Sequence, residues 1–172
     1  MTAIRRGGFT LIEILVVVAL VVVLSLVGAF NVLRARTTGN EGVALANLRQ
    51  LSVSLLMYNS INNAYPADFT WRLSLYGARC GPGHAPEPDY GPANFCLPLT
   101  GGTSDNVSGY VYSYQGAPAP AGSYTLTANP QTANVTGTKA FFVDQTNSLR
   151  HCIGAGPADA TDPTIDQPPV PC

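Results

Sequence analysis

From Phe9 to Leu33 the chain reads FTLIEILVVVALVVVLSLVGAFNVL, an apolar run broken by one charge, Glu13. As a helix at ~1.5 Å per residue this run would be about 37 Å long, enough to cross a hydrocarbon layer of about 30 Å. Its many valines do not make it a strand. A lone strand in lipid leaves its N–H and C=O groups unpaired, whereas a helix satisfies them internally. The rest of the chain has a different composition, with all 14 prolines at or beyond Pro66. Only 11% of residues are charged, against about 25% in ordinary soluble proteins. Nine basic and ten acidic residues give a net charge of −1, which argues against a strongly basic nucleic-acid surface. The hydrophobic fraction of 46% argues against disorder of the whole chain.

The flanks of the run carry Arg5 and Arg6 on one side and Arg34 and Arg36 on the other. The positive-inside count is therefore nearly balanced, and the shortness of the leading segment favours an N-terminus that stays inside. A secretory signal peptide would place its cleavage site at Val27-Gly28-Ala29, before Phe30. Against it stands the carboxylate of Glu13 where the apolar core should begin. A plain membrane anchor accounts for the run but leaves Gly7-Gly8-Phe9 and Glu13 without a role.

Gly7-Gly8-Phe9-Thr10-Leu11-Ile12-Glu13, after a short basic leader and before an unbroken apolar helix, closely resembles the N-terminal signature of type IV pilins and type II secretion pseudopilins. The resemblance implies removal of the leader 1–8 by a membrane-embedded prepilin peptidase between Gly8 and Phe9. It also implies N-methylation of Phe9 and a place for Glu13 as the fifth residue of the mature chain. Where family members commonly carry a helix-weakening proline, this chain has Phe30. Gly28 is nearby, and a helical glycine costs about 1 kcal/mol relative to alanine, against about 3 for proline.

Past Arg36 the pattern becomes amphipathic. Ala44, Leu48, Leu51, Leu55 and Tyr58 share one helical stripe, with Glu41, Asn47, Arg49 and Ser54 off it. The spacing predicts a membrane and filament-core helix over 9–33 and a packing half over 34–64, with a bend at Gly39. The helix should end near Asn62-Asn63-Ala64, because Pro66 drives the preceding residue out of helical conformation. Residues 65–107 read as a proline- and glycine-rich loop region with a short helix within 69–76. Runs at 109–114, 123–128, 139–143 and 148–153 have strand composition and predict an antiparallel sheet within 108–153. Tyr110, Tyr112 and Tyr114 alternate and so share one face, read as packing rather than base stacking. The expected fold is α+β, a long N-terminal helix packed on a small antiparallel sheet, which is again the pilin plan.

Cys80, Cys96, Cys152 and Cys172 are an even set with no C-x-x-C spacing, which favours disulfides in an oxidising compartment. Pairing Cys80 with Cys96 and Cys152 with Cys172 is one of three connectivities. It ties down the proline-rich tail 154–172, which shows no helix or strand pattern. Cys80, His84, Cys96 and Cys152 do not have the spacing of common zinc modules. Asp159, Asp162 and Asp166 resemble the calcium loop of some major pseudopilins but lack EF-hand spacing and read as loop carboxylates. No Walker loop, nucleophile elbow or dinucleotide fingerprint occurs, so neither catalytic residues, cofactor nor metal is expected. Losing the leader removes Arg5 and Arg6 and leaves 7 basic and 10 acidic residues, a net charge of −3, so strong autonomous DNA binding is not expected.

The expectation is a structural subunit, held in the inner membrane until processed, then assembled by pilus or secretion machinery into a homo-oligomeric helical filament outside the cell. Assembly should rest on Glu13 meeting the α-amine of Phe9 on a neighbouring subunit. The alternatives are a periplasmic pseudopilus subunit of type II secretion and a membrane-anchored monomeric binding domain.

Overall fold

A computed structural model describes residues 9–68, 71–76, 90–91, 95, 104–117, 122–154 and 156–172. Gly8, Cys80 and Cys96 lie outside them. The chain forms two compact units, Met1–Arg36 and Thr37–Cys172.

From Leu11 on, the described residues of the first unit form the opening turns of helix α1 (Leu11–Asn62). From Leu11 to Leu26 its large apolar side chains are exposed on every face, so nothing within the unit covers them. α1 runs through Gly39 as helix. At its far end Asn63 takes the left-handed conformation, φ 54°, and its N–H closes on Asn59 O at 2.8 Å. Asparagine tolerates that conformation as a helix stop, and Pro66 prevents resumption.

In the second unit the α1 stripe Ala44, Leu48, Leu51 and Leu55 is fully buried, as its 4-3-4 spacing predicts. Burying each leucine contributes about 1.5–3 kcal/mol. The polar residues assigned elsewhere divide in two. Arg49 is exposed, but Asn47 and Ser54 are buried. Periodicity misjudged these two because the covering surface is wider than the apolar stripe, and each finds a hydrogen bond: Asn47 Nδ2 donates to Tyr112 Oη at 3.2 Å and Ser54 Oγ to Gln50 O at 2.8 Å.

Against this face lies a six-stranded sheet in the order β1 (Ser104–Val107), β2 (Tyr110–Gly116), β3 (Tyr124–Pro130), β4 (Lys139–Asp144), β5 (Arg150–Ile153) and β6 (Val170–Pro171). Neighbours from β1 to β5 are antiparallel and β6 joins β5 in parallel. Strict alternation in β2 and β3 buries Tyr110, Tyr112, Tyr114, Tyr124, Leu126 and Ala128 on the inner face. The second unit is thus α+β, with helix and sheet sharing one core. That core also takes Trp71, Leu75 and Tyr76 from α2 (Trp71–Tyr76), with Trp71 stacked on Tyr114 at 5.3 Å.

Two segments read as loop or tail hold structure. β1 falls inside 65–107, where only four residues pair and its Ser104-Asp105-Asn106 gives no apolar alternation. Its link to β2 is the two-residue turn Ser108-Gly109, both at positive φ (53° and 79°), the type I′ geometry that suits hairpin twist. The C-terminal segment adds β6 and an isolated bridge from Thr164 to Arg150, so the sheet is not wholly antiparallel. Prolines mask that signal, since a strand of two residues at a sheet edge needs little propensity.

Candidate functional site

The first two described residues, Phe9 and Thr10, precede α1. Phe9 is 77% exposed. Glu13 N–H faces Thr10 O at 3.2 Å and Thr10 Oγ1 at 3.4 Å, while Thr10 N–H points to Glu13 Oε2 at 3.5 Å. This reciprocal arrangement is a capping box, in which a threonine and the glutamate three residues on satisfy two of the donors that a helix start leaves orphaned. Negative charge there also faces the positive end of the helix dipole. Thr10 was missed as a site residue, although T-x-x-E before an apolar run announces this cap. Gly8, the other side of the expected cleavage point, is outside the described residues.

Among the described residues no helix is long and apolar enough to cross a membrane. The described apolar side chains run from Leu11 to Leu26 and resume at Val32. Leu11 to Leu26 is about 24 Å of helix, short of about 30 Å. The span over 9–33 therefore rests on the sequence.

Polar contacts fix the helix on the second unit. Glu41 Oε1 accepts from Thr138 N–H at 2.9 Å and Thr138 Oγ1 at 2.6 Å, and its other oxygen lies 3.8 Å from Lys139 Nζ. Asn40 Nδ2 donates to Thr136 O at 2.9 Å and Thr37 Oγ1 to Val135 O at 3.2 Å. These bonds seat the β3–β4 loop on the first turns of the helix that belong to this unit. Gly137 belongs to the same fitting, because a Cβ there would overlap the ring of Tyr110, whose hydroxyl donates to Lys139 O at 2.9 Å.

The C-terminal segment is fastened at several points. Cys152 and Cys172 are disulfide-bonded across a sequence separation of 20; Cys80 and Cys96 lie outside the described residues. His151 Nε2 meets Gln167 O at 3.0 Å, so that nitrogen carries the proton, and Arg150 Nη1 donates to Asp162 O at 2.7 Å. Ala158 packs with Ala140, Phe142 and Cys152 on the outer face of the sheet. Asp159 Oδ1 accepts from Thr161 N–H and Oγ1, and this turn holds its carboxyl below the usual aspartate range. Asp162 Oδ2 accepts from Asp159 N–H. Among the described residues no group of three or more His, Cys, Asp or Glu side chains is placed to hold a metal.

The inner tyrosines supply no reactive acid. Burial, the dominant cause, pushes the hydroxyls of Tyr110, Tyr114 and Tyr124 well above the ordinary tyrosine value, with further contributions from Glu41, Asp68 and Tyr65 respectively. They stay protonated and serve as packing with a hydrogen-bonding tip.

The helix start thus sets an exposed Phe9 beside a capping glutamate, and aliphatic turns uncovered within the first unit follow. Residues 4–29 match the prokaryotic N-terminal methylation motif. Over 68 residues the chain is 38% identical to the type IV wide pilus major component PilA4 of Thermus thermophilus, covering 40% of this chain and 52% of that protein. The chain thus spans about half the length of this curated relative. No solved structure matches. Both comparisons are similarities, the motif to residues 4–29 and the relative, a pilus component, to a 68-residue stretch.

Proposed function

We propose that the chain is a subunit of a type IV pilus or pilus-like filament. In this reading prepilin peptidase cuts between Gly8 and Phe9, Phe9 is methylated, and residues 9–33 hold the chain in the inner membrane until the assembly machinery extracts it. The supporting observation is the Phe9-Thr10-Glu13 helix start within the matched motif, ahead of exposed apolar turns. Before assembly Glu13 caps its own helix near the membrane surface, where its carboxylate reaches water. Packed among apolar helices it would lose that water, and an unpaired buried charge costs several kcal/mol or forces protonation. The cation that cleavage creates is the α-amine of Phe9, still charged after methylation, and a staggered neighbour brings it to Glu13. Processing thereby becomes a precondition of assembly and sets axial register. Apolar burial alone gives little bias, since lipid is as apolar as a helix bundle; packing, charge pairing and the machinery supply the rest.

The test is deletion and complementation in the source organism. Loss of surface filaments, restored by the wild-type chain, is the expected result. A secretion defect with filaments intact would point to the pseudopilus instead, and an uncleaved chain confined to the membrane would overturn the reading.

A further inference from the structure

We propose that the outer face of the sheet holds a binding site for an uncharged saccharide. The whole site lies within the second unit, so it stands apart from the filament reading. Alternation buries the tyrosines of β2 and β3 on the inner face and turns Ser113, Gln115, Thr125, Thr127 and Asn129 to the outer one. In the register Ser113 stands opposite Thr127, and Gln115 opposite Thr125. Paired side chains lie about 5 Å apart at Cβ and neighbours along a strand about 7 Å apart, so these four make a grid of hydroxyl and amide groups. With Asn129 they line a cavity of about 510 Å³, within the roughly 300–1,000 Å³ of small-molecule sites. Among the described residues the side chains of Ser113, Gln115 and Thr125 make no hydrogen bond, Asn129 Oδ1 has no partner, and Thr127 Oγ1 reaches only Ser113 O at 3.5 Å. The grid's hydrogen-bonding capacity is left for a ligand.

The rest of the lining decides the class of that ligand. Phe142, Pro157 and Ala158 add an apolar surface, and Asp159 is the one charged lining residue. Its carboxylate is kept ionised by the turn to Thr161, and no lysine or arginine lines the cavity, so a phosphate or an acidic sugar would meet repulsion. A peptide that adds as a strand needs a free sheet edge, whereas β2 and β3 each have partners on both sides. A purely apolar ligand would cover the grid and leave its donors and acceptors unpaired. A saccharide suits both surfaces, since its hydroxyls donate to and accept from the grid while its C–H faces pack on the apolar side. That side is fixed in advance. Ala158 packs with Ala140, Phe142 and Cys152, Asp159 N–H donates to Asp162 Oδ2 at 2.7 Å, and the Cys152–Cys172 disulfide closes the segment. Such preorganisation lowers the ordering cost of binding.

An array of neutral and acidic oligosaccharides, probed with the full chain in a phosphocholine detergent that carries no sugar, tests this. Neutral glycans should be retained in preference to acidic ones. The best-retained neutral oligosaccharide is then titrated by calorimetry against the wild type, the double variant Ser113→Ala/Thr125→Val and the single variant Gln115→Ala. Neither side chain of the double variant spends a hydrogen bond on the chain itself, so it should keep the wild-type unfolding midpoint and bind on the order of tenfold more weakly. Gln115→Ala should weaken binding severalfold, an independent reading should the double change disturb the fold. Retention of no neutral glycan, equal retention of acidic ones, or undiminished affinity in both variants would overturn the proposal.

Discussion

Helix α1 serves two environments. From Leu11 to Leu26 its large apolar side chains are exposed on all faces, whereas between Ala44 and Leu55 one stripe is buried under tyrosines and the rest of the turn is largely polar. The same backbone carries both because what differs is the covering partner. An all-round apolar segment needs a surround, lipid or other helices, and a striped one needs a single face. In the second region that face is supplied by this chain's own sheet. In the first it is not, and this unfilled requirement is what the filament reading answers.

Variants at the two ends of the helix should therefore fail in different ways. The largest effect is expected at Glu13. Glu13→Val and Glu13→Gln chains should insert and be cleaved yet yield at least tenfold less filament when every subunit carries the change, as read by shearing and blotting. Loss of the cap alone would cost about 1 kcal/mol, too little for that result.

Leu51→Ala should destabilise the second unit by about 2–5 kcal/mol through a cavity in the shared core. Leu20→Ala should leave the same transition unchanged, because Leu20 is exposed and in the other unit. Thermal unfolding of both detergent-solubilised variants, followed by near-ultraviolet dichroism, makes the comparison. Equal destabilisation would mean the two regions are not separate.

Cys172→Ser frees the tail, and a loop of this length is worth about 3 kcal/mol in the chain-entropy model. The unfolding midpoint should fall without loss of membrane insertion, and a reductant should lower the wild-type midpoint by at least as much.

The buried tyrosines fix an alkaline limit. Their folded pKa values are raised, so their contribution is complete below the unfolded value of about 10 and is lost as pH rises from there towards the folded values. Stability should fall above pH 10 by at most about 1.4 kcal/mol per pH unit per tyrosine, measured by unfolding against pH beside ionisation absorbance. The smallest effect, about 1 kcal/mol, is expected for Asn47→Ala, which removes the hydrogen bond to Tyr112.

Much of this was legible before the structure, for a physical reason. The stripe Ala44, Leu48, Leu51 and Leu55 and the alternating tyrosines are periodic signals, and each is set by one dominant partner surface. β1 and β6 were illegible because they are edge strands of four and two residues, held by neighbours rather than by their own pattern. Asn47 and Ser54 were misassigned because polar residues enter the core when a partner lies within reach, and that partner, Tyr112 in one case, is distant in sequence. At the helix start Glu13 was read from its misplaced charge in an apolar run, but Thr10, which completes the cap, was overlooked although its spacing was plain.

The central claim is that the exposed apolar helix begins at a processed Phe9 and enters the filament in that form. Intact-mass measurement with N-terminal sequencing of protein sheared from cells tests it most directly. The account predicts a chain starting at N-methylated Phe9, heavier by one methyl group than residues 9–172 with any disulfides formed. A chain beginning at Phe30, or one still carrying the leader, would contradict it.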